Sequence, residues 1–196
     1  MSDGHALLSE TGWTIPLSCA ARQEMEALGL TSVEGTGREL PEGLVQVPGR
    51  RLIPKRAIRA PAVLNEAYDY AKPSSFSRGM RVDLTDATLL LISGTASVNK
   101  RGETIFAGDF EAQCLRTFRN LTQLLVAEGA SWHDVVRTTC YLRDIERDYD
   151  SFNEIRTMFM TRIGLDPLPA STGIQARICR SDLLVEIEAM AVVPRD

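Results

Sequence analysis

The sequence predicts one α+β domain in which a single mixed β-sheet carries two helices on one face. Three observations predict it. From about residue 66 onward the chain reads β-β-α-β-α-β-β, with helices coming singly between strands and strand pairs at both ends. The strands are apolar nearly throughout, Leu89–Ile92 most of all, so both sheet faces need cover. The 196 residues, 44% hydrophobic and 24% charged, suffice for one globular domain with a sizeable core plus an extension.

Residues 1–65 form the expected extension. They hold five of the nine prolines (Pro16, Pro41, Pro48, Pro54, Pro61) and a basic cluster of Arg50, Arg51, Lys55, Arg56 and Arg59. One short helix is expected at Ala20–Leu28, ended by Gly29, and the remainder reads as extended or irregular. The domain then runs over 66–196. Ser77–Leu84 reads as a strand, Thr85-Asp86 as a turn, and Thr88–Val98 as a second, strongly apolar strand. After a turn at Lys100-Arg101-Gly102, Asp109 can cap a helix to about Glu128, with Gly129 ending it. Leu115, Phe118, Leu121, Leu124 and Leu125 keep the helical period. Asp134–Leu142 is the third strand, and Tyr149–Ile163 a second helix with Phe152, Ile155, Met158 and Phe159 on one face, ended by Gly164 and Pro167. Ser171–Ile178 and Leu183–Val193 close the chain as strands, joined through Cys179-Arg180-Ser181-Asp182. Covering the second sheet face requires association, so a homo-oligomer is expected.

Composition removes several function classes. A net charge of −4 without aromatic-basic patches argues against nucleic-acid binding. No apolar run approaches bilayer length, and MSDGHALLSETGW lacks the charged and apolar regions of a signal peptide, so a cytoplasmic protein without membrane contact is expected. Cys19, Cys114, Cys140 and Cys179 are widely spaced and read as free thiols. His5 and His133 stand in no metal-ligand spacing, so neither a metal nor a cofactor is expected, and neither histidine suits a nucleophilic triad.

Several short segments occur together in one order. They are Ile92-Ser93-Gly94, Gly108-Asp109 with Gln113, Asn120, Glu128-Gly129-Ala130, Asp134-Val135-Val136, Tyr141-Leu142-Arg143-Asp144, Phe152-Asn153 and Leu184–Ala191. In that order and spacing they resemble the RidA/YjgF family over about two-thirds of the chain. The resemblance implies a chorismate-mutase-like fold, three subunits closing their sheets into a central barrel, and active clefts between subunits. It implies hydrolysis of reactive enamines and imines, with an arginine in a Pro-x-Arg-Ser/Thr segment binding the substrate carboxylate and a last-strand glutamate positioning water. Glu186 matches the glutamate. Counting back without a gap, Leu168–Thr172 falls on the arginine segment with Ser171 where arginine is expected, and a serine cannot make the bidentate, charge-assisted pair. Gly94-Thr95-Ala96-Ser97 and Ile178–Glu186 are similar to the C-terminal half of the chorismatases, RidA-related enzymes that hydrolyse the enolpyruvyl ether of chorismate and carry a longer N-terminal half.

The candidate site residues follow. Glu186 and Glu188 alternate with Val185, Ile187 and Ala189, so both acids share one strand face, and Glu186 is the candidate acid/base. Arg180, between two strands, is the candidate replacement for the missing carboxylate clamp. Arg78, with Phe76 beside it, is the second anchor. Thr95, Ser97, Ser171 and Thr172 offer hydroxyls to substrate or water, and Cys179 lines the pocket or fills space. These point to a cofactor-free hydrolase or lyase of a small unsaturated carboxylate, deaminase-like or chorismatase-like, with a non-catalytic ligand-binding or regulatory trimer as the alternative.

Overall fold

The structure is a computed structural model that describes residues 17–28, 30, 43–44, 49–71 and 73–195. The chain divides into two compact units, Met1–Leu52 and Ile53–Asp196. In the first, helix α1 spans Cys19–Ala27, and Ser18 caps it by accepting from the Ala21 amide at 3.2 Å. Gly29, Pro16, Pro41, Pro48 and His5 lie outside the described residues.

The second unit holds one six-stranded sheet: β1 (Lys55–Ala57), β2 (Gly79–Asp83), β3 (Ala87–Ala96), β4 (Val135–Leu142), β5 (Ala170–Gln175) and β6 (Val185–Pro194), in spatial order β1-β2-β3-β6-β4-β5. Helices α2 (Phe110–Val126) and α3 (Ile145–Arg162) pack on one face, α2 against β3 and β6, α3 against β4 and α2. All neighbours are antiparallel except β4 and β5, which α3 connects as a parallel pair. The architecture is therefore the expected α+β mixed sheet, left open at its edges.

Three differences from the sequence reading matter. First, β1 had no strand signature, because its residues are mostly charged. It forms as an edge strand on β2, and Ile58, Ala60 and Leu64 beyond it are buried, so residues 53–65 pack with the second unit. Arg56 on β1 reaches the Glu128 carboxylate with both Nη atoms (2.8 and 2.6 Å), and Arg81 adds a third contact at 3.3 Å. Second, α3 begins four residues early: Asp144 caps it by accepting from the Arg147 amide at 3.1 Å, and the charged Ile145–Asp148 turn hid the start. Third, the last two strands do not pair with each other. The chain from 176 to 184 is a long connection, and β6 inserts between β3 and β4.

That insertion makes β6 central. Val185, Ile187, Ala189 and Ala191 pack under the helices with Leu90, Ile92, Cys140, Leu142, Phe118, Leu121 and Leu124. Phe118, Trp132 and Phe159 form an aromatic cluster between helices, with ring centroids 4.8–5.8 Å apart. The opposite face keeps Leu91, Met190 and Val192 exposed beside Glu186 and Glu188. Leu89–Ile92 thus divides between the two faces: Leu90 and Ile92 are core, whereas Leu91 has no cover in the single chain.

Candidate functional site

The site begins where β3 and β6 run out. A bulge between Ile92 and Thr95 shifts the register, so that Ala96 stands opposite Glu186. Gly94 lies in the bulge, directly under the Glu186 carboxylate: a Cβ built there would stand 2.0 Å from Glu186 Oε1. Only a residue without a side chain lets the carboxylate settle there. Burial, and then the Glu188 charge, push the Glu186 carboxyl above its ordinary range, with Arg180 pulling the other way. Tyr141, opposite Glu186 on β4, has its hydroxyl raised by burial and by the Glu188 carboxylate.

Arg180 comes from the 176–184 connection, which two side chains hold. Buried Gln113 on α2 donates to Asp182 O (2.9 Å) and accepts from the Leu184 amide (2.8 Å). Arg143 donates to the carbonyls of Leu183, Ile178 and Arg180. Arg180 itself donates to Gly102 O, and its charge acts on Glu186 and also on Tyr70 and Arg78.

Arg78 is 6% exposed. Its Nε donates to Asn65 O at 3.0 Å, its Nη2 to the Tyr70 hydroxyl, and its guanidinium lies 4.8 Å from the Tyr70 ring centroid and 5.4 Å from that of Phe76. Burial lowers the Arg78 pKa and the Tyr70 and Glu66 charges raise it. The Tyr70 ring rests on Gly102, whose positive φ of 78° and lack of clearance (a Cβ would stand 2.3 Å from the ring) require glycine. Glu66, 7% exposed, completes the corner.

Arg180 joins these residues into one corner, its charge acting on Glu186 on one side and on Arg78, with Phe76 against it, on the other. The other expected residues do not join it. Thr95 donates to Ser93 O (2.9 Å) and faces the helices with Ile187; Ser97 is fully buried and donates to Ile105 O (2.8 Å). Both hydroxyls are spent within the chain. Cys179 is exposed. Thr172 accepts from Arg137 Nη2 at 3.1 Å. Ser171 points toward the helices, accepting from Arg156 Nη1 (3.1 Å) and Thr138 (3.0 Å). Strand alternation explains the scatter, since neighbouring residues take opposite faces. Beside Ser171 lies a cavity of about 220 Å³ lined by Asn153, Arg156, Thr157, Met160, Leu168 and Pro169, with Arg156 Nη2 fixed on Asn153 Oδ1 at 2.7 Å. Sequence reasoning missed Glu66, Tyr70, Gly102 and Arg156. Asn65–Tyr70 offered no periodic signal, and Arg156 sat in an ordinary helical pattern. Among the described residues no His, Cys, Asp and Glu side chains gather as a metal site, and no helix is long and apolar enough to cross a membrane.

This architecture defines a class: α+β proteins in which one mixed sheet, its last strand inserted centrally, is backed by a helix pair. Comparison with known proteins gives the family. The model described as Endoribonuclease L-PSP matches residues 71–193, and the chain belongs to the RidA/YjgF family. The chain is 28% identical over 102 residues to a RutC family protein of Pyrococcus abyssi (52% of this chain, 76% of that one). It is 30% identical over 118 residues to the mouse 2-iminobutanoate/2-iminopropanoate deaminase (60% and 80%). The crystal structure of the E. coli YjgF gene product matches at a TM-score of 0.54 and 28% identity, covering 70% of this chain and 98% of that one.

Proposed function

We propose that the protein is a cofactor-free hydrolase of a small unsaturated carboxylate, an enamine, imine or enol ether, acting at clefts between three copies of the chain. One observation carries the reading: the half-buried Glu186 carboxyl is seated on Gly94, held above its ordinary pKa and acted on by the Arg180 charge, which in turn acts on Arg78. Substrate enters with its carboxylate on the arginines, which hold a planar anion bidentately. An anion there offsets the Arg180 charge that otherwise lowers the Glu186 pKa, so binding favours the protonated acid. Protonated Glu186 transfers its proton to the terminal carbon of the enamine or enol ether, leaving an iminium or oxocarbenium at the adjacent carbon. Water adds to that carbon as the Glu186 carboxylate takes its proton, and the adduct releases ammonia or an alcohol and leaves a keto acid. An imine enters the same sequence at the water step.

Two features support the trimer. The sheet face opposite the helices leaves Leu91, Met190 and Val192 exposed, and β5 is an edge strand whose six residues are all exposed. The similarity to imine deaminases supports the reaction class, and Ile178–Glu186 the enol-ether variant. The test is Glu186→Gln, assayed by keto-acid release from imines of small keto acids and from enolpyruvyl ethers. Turnover is expected to fall by about a hundredfold or more with the oligomer intact by light scattering. Unaltered turnover removes the assignment. The alternative, a ligand-binding trimer without catalysis, is favoured by Ser171 standing where the family's arginine is expected; ligand binding with no product across the panel would establish it.

A further inference from the structure

Glu66 is a buried acid of the corner that the proposed reaction leaves unused. The residue is more than nine-tenths buried, and among the described residues its Oε2 meets no hydrogen-bond donor. It stands at the N-cap of the one-turn helix Ala67–Asp69 yet makes no capping bond. The residues on either side hold Arg78: Asn65 through its carbonyl and Tyr70 through its hydroxyl. Arg78 thus spends Nε and Nη2 on those two neighbours and gives Glu66 charge without a hydrogen bond. A carboxyl oxygen accepts, and a buried acceptor left without a donor is unfavourable by more than an ordinary hydrogen bond stabilises. A group kept in that state beside an anion anchor is set to meet a donor that arrives with the anion.

We propose that Glu66 is a specificity-determining residue of this corner, accepting a hydrogen bond from a hydroxyl or amino N–H of the substrate. The substrate class narrows to unsaturated carboxylates that carry such a donor near the carboxylate. The inference rests on the reading of Arg78 and Arg180 as the carboxylate anchor. An acceptor at this position offers no hydrogen bond to a keto oxygen, so it separates a hydroxy acid from its keto counterpart. Pockets built to meet a substrate hydroxyl discriminate more strongly than apolar ones, because the analogue lacking it leaves a buried acceptor unpaired.

The test is calorimetric titration of the full chain with two matched pairs: 2-(hydroxymethyl)acrylate against methacrylate, and 3-hydroxybenzoate against benzoate. The expected result is a preference of about ten- to a hundredfold for the hydroxylated acid in at least one pair. Glu66→Leu should abolish that preference, whereas Glu66→Gln, whose amide oxygen still accepts, should keep part of it. Equal affinities within both pairs, or a preference that survives Glu66→Leu, overturn the proposal and leave the arginine anchor standing. Failure of all four acids to bind takes down both. If Glu66→Leu shows no cooperative thermal transition, the wild-type pairs and Glu66→Gln decide the matter.

Discussion

Replacing Gly94 by alanine separates the site from the fold that carries it. The added Cβ would lie 2.0 Å from Glu186 Oε1, 2.9 Å from Cδ and 3.3 Å from Cγ. Heavy atoms in contact settle at about 3.5 Å, so the carboxylate must retreat by about 1.5 Å. All three nearest atoms belong to one flexible side chain, and Gly94 has no positive φ, so the backbone needs no change. Glycine in a strand interior is also less favourable than alanine, by roughly 0.5–1 kcal/mol, which offsets the crowding. Misplacing a catalytic group by about 1 Å can lower the rate a hundredfold. Gly94→Ala should therefore lose about two orders of magnitude in kcat while its thermal midpoint stays within a few degrees of the parent. The assay is keto-acid release under saturating substrate, alongside scanning calorimetry of the same preparation. Full turnover would refute the placement of Glu186 as the acid, and a collapse of stability would show that Gly94 serves packing instead.

Further outcomes follow from the same contacts. Because the Glu186 pKa is raised, its protonated form persists above the ordinary carboxylate value of 4.5; the kcat profile should hold there and fall only as pH rises through the raised pKa. The same sign applies to stability: this group's contribution is fully present below the unfolded value and is lost as pH rises through the folded one, so Glu186→Gln should flatten that part of a melting-versus-pH series. Glu128, with a side chain 1% exposed between Arg56 and Arg81, should lower the urea midpoint when changed to Gln, by about 1–3 kcal/mol in stability, chiefly by loosening β1. Arg143→Ala should raise KM more than it lowers kcat, because it frees the connection that carries Arg180; Arg143→Lys should not restore KM, since one ammonium cannot replace the fork that reaches three carbonyls.

Much of the fold was legible before any coordinate. Asp109 announces α2 by its cap, and of the stripe Leu115, Phe118, Leu121, Leu124 and Leu125 all but the exposed Leu115 form its buried face. The alternation Val185–Ala191 likewise announced that the acids and aliphatics of β6 face opposite ways, as they do. Part of the corner was legible for the same local reason: Glu186 by its strand alternation, Arg78 and Arg180 by the motifs around them. The hydroxyls were misjudged because a short motif names residues without their faces. Thr95 and Ser97 both turn inward beyond the bulge, and Ser171 meets Arg156 on the helix that precedes its strand.

What the sequence alone determined is what short-range rules govern: the element types, most of their caps, and the class of sheet they build. Only the tertiary structure decided that β6 lies between β3 and β4, that Gly94 is the floor under Glu186, and that Asn65–Tyr70 closes over Arg78. The reason is physical. Propensity and periodicity act within a few residues, whereas this corner is made by segments from 8 to about 100 residues apart, whose meeting is set by strand order and by burial of shared surface.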